Sequence, residues 1–302
     1  MKVVVFTQSA NAPQFERDLF KFAEGVSKSG DSVIINSGLE YEDCDVAVFF
    51  GSWKNMNAPH HVIKNKIVSR AKNFIVLETP LIGRGKVEEA MKDSWYRIGL
   101  NGFLADQGDF NNLNCDSLRW RKIQEMEGIV LAPWTRNMDG PILLALQLPG
   151  DASLRGADIS KWAYETILDI RTITDRPILV RTPQLERSFD NPYMEKIRKP
   201  MTNVVFQKGT YENLIPTLQK SYCSVTYSSG LAIDSLIHGC PAVVCNSASF
   251  AWESCSNKPR AIGFFEYPDR DKLFSKLSYA QWHVSEIQEG LPWKHLKNRV
   301  SV

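Results

Sequence analysis

One repeated alternation limits what this chain can fold into: short apolar runs that close on small or polar residues, separated by stretches of helical spacing. Val3-Val4-Val5-Phe6 reads as a strand. Residues 15–28 then carry apolar side chains at helical spacing (Phe15, Leu19, Phe22, Ala23, Val26) until Gly30 stops them. Residues 32–36 and 45–50 read as strands, 60–71 as a helix, and 73–78 as a strand closing on Glu78-Thr79-Pro80. Short, uniformly apolar strands between helices predict a parallel sheet covered on both faces.

Residues 93–117 break this rhythm. They are rich in Gly, Asn, Asp and aromatic residues, show no clean period, and are expected to form a functional loop. The alternation then resumes. Strands are expected at 142–146, 177–180, 204–206, 224–227 and 242–245, with helices at 159–172, 211–220 and from Gly230 to His238. Pro133, Gly140 and Pro141 cluster between the halves, which places the boundary there: a first domain over 1–136 and a second over 137–270. The expected fold class is α/β, with two doubly wound, Rossmann-like parallel-sheet domains facing a cleft.

Composition narrows the function. Of 302 residues, 43% are hydrophobic and 23% charged, as in a globular protein. No apolar run is long enough to span a membrane, and the first apolar run stops at Thr7-Gln8-Ser9, too early for a signal core. The six cysteines form no CxxC pair and share no spacing with histidines, which predicts reduced thiols in a cytoplasm and no metal site. A net charge of +2 permits a polyanionic partner without demanding one. P-loop, GxGxxG, HExxH and GxSxG motifs are all absent, which removes the reaction classes that depend on them.

In open parallel sheets, ligands bind beyond the carboxyl ends of the strands. The residues expected there are Gly51-Ser52-Trp53, Glu78, Arg181-Thr182, Ser228-Ser229-Gly230 and Asn246-Ser247. Ser228-Ser229-Gly230 follows a strand and opens a helix that also carries Asp234, so free amides, a helix dipole and two hydroxyls would converge on a phosphate. Ordinary helix capping by either serine explains the same residues. Arg181, at a strand end, is placed to pair with a phosphate or carboxylate. Glu78, with Asp106 and Asp109 as competitors, is the candidate general base toward an acceptor hydroxyl.

The strand ending in Arg181-Thr182-Pro183, the strand–Ser228-Ser229-Gly230–helix unit and Gly239-Cys240-Pro241-Ala242-Val243-Val244 together resemble the C-terminal domain of bacterial glycosyltransferases of the GT-B type. The capsule-type Kdo and sialyl transferases are the nearest group. Ser228-Ser229 matches their serine pair, which contacts the donor nucleotide. Thr182-Pro183 stands where they carry His-Pro, a departure at a second donor contact. Leu77-Glu78-Thr79-Pro80 partly echoes the acidic Leu-Glu-Asp-Gly motif of the Kdo enzymes. Asp116-Ser117-Leu118-Arg119-Trp120, Ala132-Pro133-Trp134, Asp175-Arg176-Pro177-Ile178 and the Trp282 to Leu296 segment also resemble bacteriophage-encoded glycosyltransferases.

The resemblance implies an enzyme that holds a nucleotide-sugar donor on Arg181, Thr182, Ser228, Ser229, Gly230 and Asp234 and transfers the sugar without metal or cofactor. Gly51, Ser52 and Trp53 would line the cleft. Residues 271–302 would cross back to the first domain as a C-terminal helix, with Trp282, Trp293 and Leu296 as packing anchors. The expected acceptor is hydroxymethylated pyrimidine in phage DNA, contacted by basic clusters such as Lys64, Lys66 and Arg70, or Arg119, Arg121 and Lys122. A surface saccharide held by Trp53, Trp95 and Tyr96 is the alternative acceptor. A sugar-nucleotide epimerase and an inactive GT-B binding protein are the alternatives in function.

Overall fold

The computed structural model describes residues 1–10, 12–82, 95–135, 137–183, 189, 191–199, 201–265 and 267–301. Residues 93 and 94 of the irregular stretch, and residue 136 at the expected boundary, lie outside them. The chain forms two compact units, Met1–Lys122 with Phe274–Val302, and Ile123–Leu273.

The first unit begins with β1 (Lys2–Phe6), α1 (Pro13–Lys28), β2 (Ser32–Asn36), β3 (Val46–Phe50), α2 (Pro59–Arg70) and β4 (Phe74–Glu78). β2, β1, β3 and β4 lie side by side, all parallel. β3 is wholly buried while edge strand β2 stays half open, which explains why the central runs are uniformly apolar and Ser32–Asn36 is not. β5 (Trp95–Leu100) pairs antiparallel with β4. Part of the expected loop is therefore a strand: alternating large side chains pack into the sheet, and Trp95 and Tyr96 are core residues at 4% and 2% exposure. This removes both from the residues offered to an acceptor sugar.

The chain enters the second unit within α3 (Leu118–Glu127), upstream of the Pro133–Gly140–Pro141 cluster. There it forms β6 (Ile142–Ala145), α4 (Ile159–Arg171), β7 (Ile178–Thr182), α5 (Pro192–Arg198), β8 (Val204–Lys208), α6 (Tyr211–Lys220), β9 (Cys223–Thr226), α7 (Leu231–Ile237) and β10 (Ala242–Val244). The five strands are parallel in the order β10-β9-β6-β7-β8. Asp158 caps α4, accepting from the Ser160 and Lys161 amides. Gly239, at φ +73°, ends the α7 segment.

The chain returns to the first unit within α8 (Arg270–Ser278), followed by β11 (Gln281–His283), α9 (Val284–Gln288) and α10 (Leu291–Leu296). The terminal segment is not one helix. Gln281–His283 pairs antiparallel with β5 and makes it a six-stranded sheet, and Gly290 turns the chain between α9 and α10 at φ +73°. Trp282, Trp293 and Leu296 are buried in the first unit's core. Arg119 binds the segment down, pairing with Glu286 at 3.0 Å and lying 3.8 Å over the Trp282 ring.

Candidate functional site

In the second unit the strand order reverses at β6, with β7 and β8 on one side and β9 and β10 on the other. Beyond the carboxyl ends of β6 and β9 lie Gln147 and the Ser228-Ser229-Gly230 turn. Gln147 Oε1 accepts from the Ser228 amide at 3.0 Å, and its Nε2 donates to Ser153 Oγ at 2.6 Å. Ser228 Oγ lies 3.1–3.3 Å from Ser153 Oγ, the Ser153 carbonyl and Gln147 Oε1. Ser228 is thus buried at 8% exposure with its hydroxyl engaged inside the unit. Its hydroxyl and amide are taken up by Gln147 and Ser153, which shape the turn.

Ser229 is different. Its Oγ accepts from the Leu231 amide at 3.2 Å, which leaves the hydroxyl proton available. The Ser229 and Gly230 amides donate to no group among the described residues. One hydroxyl and two neighbouring amides, next to the Gln147–Ser153 network that holds Ser228, are donors of the kind that bind phosphate oxygens. Because α7 is only seven residues long, fixed amides contribute more here than a helix dipole.

Arg181 does not join this set. Its guanidinium donates to Gln207 Oε1, Asn213 Oδ1 and the Thr210 carbonyl, tying β7 to the start of α6. At 7% exposure it is a structural arginine; burial lowers its pKa, opposed by the charge of Asp234. Asp234 faces Arg181 electrostatically and is not an unengaged donor contact. Thr182 is buried at 6%, its carbonyl accepting from Gly209. Both residues end β7, which lies on the other side of β6 from β9 and is thus one strand removed from the reversal.

The first unit has its own reversal, at β1 between β2 and β3. Gly51 follows β3 at φ +81°, and Ser52 donates its amide to Glu78 Oε2 at 3.1 Å. Glu78 Oε1 accepts from the Thr79 amide at 2.8 Å, so two backbone donors orient a half-exposed carboxylate. Behind it lies Lys64, 3% exposed, whose ammonium donates to the Ser52 carbonyl at 3.1 Å. Burial pulls that ammonium down to about 8, against the opposing pull of Glu78. Trp53 packs edge-on against Phe49, Phe74 and Phe103 and remains half-exposed beside this edge.

The competing acids are placed elsewhere. Asp109 pairs with Arg299 at 2.7 Å and accepts from the Asn111 amide. Asp106 is exposed in the turn where the Leu104 carbonyl accepts from the Gln107 and Gly108 amides. Part of the basic clusters is engaged as well, Lys66 with Glu40, Arg119 and Lys122 with Glu286, and Lys297 with Asp31, whereas Lys72, Arg121, Lys199 and Lys294 stand exposed. No group of three or more His, Cys, Asp or Glu among the described residues could hold a metal ion, and no helix is long and apolar enough to cross a membrane.

Sequence reasoning passed over Gln147 and Ser153, and read Lys64 as an exposed contact for a DNA backbone, whereas it is buried. Gln147 had a legible signal, as the polar residue closing the apolar run Ile142-Leu143-Leu144-Ala145-Leu146. Lys64 had none, because a lysine in a helix reads as part of the solvated face.

No protein-family model matches the chain, and no curated protein matches its sequence. Among solved structures it is similar to the β-Kdo 2,4-transferase KpsC of Thermosulfurimonas dismutans, with TM-score 0.56 and 16% identity over 91% of this chain and 89% of that one. It is also similar to the β-Kdo 2,7-transferase KpsC of the same organism, with TM-score 0.51 and 11% identity over 97% and 100%. Neither similarity bears on phage enzymes or on DNA. At these identities the relationship is one of fold: the chain has the GT-B-type fold, two Rossmann-like α/β units, of these transferases.

Proposed function

We propose that this protein is a glycosyltransferase that moves a sugar from a nucleotide-sugar donor to a hydroxyl of a saccharide acceptor. The observation that carries the reading is the open donor set at Ser229-Gly230, at the reversal of the second unit's sheet, in a fold whose neighbours are Kdo transferases. In this reading the Ser229 hydroxyl and the Ser229 and Gly230 amides hold the leaving phosphate. They stabilise the charge that develops on it without reorganising. Glu78 takes the proton of the acceptor hydroxyl.

A saccharide is favoured over duplex DNA because the solved structures this chain is similar to are Kdo transferases, and because part of its basic clusters is drawn into ion pairs or, like Lys64, buried. The test is a thermal-shift screen of UDP, GDP, CMP and dTDP, followed by donor turnover with and without saccharide acceptors. A bound nucleotide should lose about 1.5–3 kcal/mol of affinity in Ser229→Ala, roughly 10- to 100-fold in Kd. Stabilisation by none of the four nucleotides would remove the donor site. Binding to duplex DNA that weakens steeply with salt would instead restore the DNA acceptor.

A further inference from the structure

Lys64 is out of pattern. The buried positions of α2 are Ile63, Lys64 and Ile67, so an ammonium occupies a place where the helix otherwise presents aliphatic side chains. A buried charge is costly unless it is paired, yet this one makes a single hydrogen bond among the described residues, to the Ser52 carbonyl. Gly51 makes that bond possible. A Cβ built at position 51 would lie 3.2 Å from Lys64 Nζ, and the φ of +81° disfavours any side chain there.

The backbone of Ser52 is therefore held from both sides. Its carbonyl accepts from Lys64, and its amide donates to Glu78. Glu78 stands half-exposed at the sheet edge, whereas Lys64 is enclosed at 3% exposure and sterically withheld from a ligand. We propose that Lys64 is a positioning residue for the Glu78 base, acting on it through the backbone of Ser52. The ammonium anchors the Ser52 carbonyl and so limits the excursions of the residue whose amide, in the adjoining peptide plane, orients Oε2. Burial depresses the Lys64 pKa, and the charge of Glu78 opposes that depression.

The inference rests on Glu78 being the base of the transfer reaction, so its test has one arm that does not need turnover. In protein labelled with 15N at lysine Nζ, and with the resonance assigned by its loss in Lys64→Met, the midpoint of Lys64 should fall below its wild-type value in Glu78→Gln. An unchanged midpoint would overturn the coupling. In the second arm, Lys64→Met should lower kcat by about 10-fold or more, as misplaced catalytic groups do. The donor KM should stay within about twofold and the melting temperature should not fall, since a costly buried charge has been removed. A wild-type kcat, or a loss that tracks loss of folded protein, would overturn the proposal; if Lys64→Met does not fold, Lys64→Gln takes its place. Absence of transfer by the wild-type chain would end the glycosyltransferase reading, while the titration still decides whether Lys64 and Glu78 are coupled.

Discussion

Gln147 and Ser228 are joined across the reversal of the second unit's sheet: one side-chain oxygen, Gln147 Oε1, accepts from both the amide and the hydroxyl of Ser228, at 3.0 and 3.3 Å. The two residues follow paired strands β6 and β9, so this contact ties the start of the Ser228-Ser229-Gly230 turn to the end of β6.

Gln147→Leu should therefore weaken nucleotide binding by about 10-fold, although Gln147 is buried at 8% exposure and is not itself a proposed ligand contact. Ser228→Ala, which keeps the amide bond to Gln147, should lose less. Isothermal titration with the nucleotide that gives the largest thermal shift measures both. Equal affinity in wild type and Gln147→Leu would show that the turn needs no such support.

Arg181 separates stability from binding. Its substitution by Met leaves the Asn213, Gln207 and Thr210 oxygens without their buried donor, at a cost of about 2–3 kcal/mol. Urea unfolding should show that loss, with nucleotide affinity of the folded variant unchanged. A variant of normal stability and weakened affinity would return Arg181 to the phosphate site.

Asp31 anchors the end of the chain to its start, accepting from the Trp293 indole at 2.8 Å, Lys297 at 2.7 Å and the terminal ammonium of Met1 at 2.8 Å. Burial pushes the carboxyl up, but these three donors outweigh it and hold it well below its usual range. Because the folded value is depressed, the stabilisation is complete at neutral pH. It declines as pH falls below about 4, where the unfolded chain begins to take up the proton. Asp31→Asn should lower the neutral-pH melting temperature and flatten its dependence on pH below about 4; an unchanged acid limb would show that Asp31 is not the group responsible.

Gly25 tests the close approach of α1 to the returning segment. An added Cβ would lie 2.3 Å from the Ile287 carbonyl and 2.7 Å from the Gly290 amide, all of it backbone that cannot rotate away. Gly25→Ala should destabilise the first unit by about 1–3 kcal/mol in spite of its better helix propensity. A stabilised variant in chemical denaturation would mean that the α9–α10 corner yields freely.

Most strand and helix segments were legible because each carries its own local pattern: Val3 to Phe6 and Val46 to Phe50 are apolar at every position, and Leu19, Phe22 and Val26 mark one face of α1. Trp95 to Leu100 was misread as part of a loop because its evidence is the pairing with β4 and β11, which come from distant parts of the chain. The Gln281–His283 strand escaped for the same reason, hidden in a run that looked helical.

Sequence alone determined that two α/β sheets with parallel cores would form and which residues would end those parallel strands, since burial pattern and turn chemistry are local properties of the chain; the antiparallel β5 and β11 were added by tertiary pairing. Only tertiary structure decided which strand-end residues remain open to a ligand. Arg181, Ser228 and Asp109 are engaged by partners far away in sequence, whereas the Ser229 and Gly230 amides are not, and Lys64 is enclosed behind Glu78. Whether a polar group is engaged depends on where its partners come to lie in space, and neither its type nor its spacing along the chain records that.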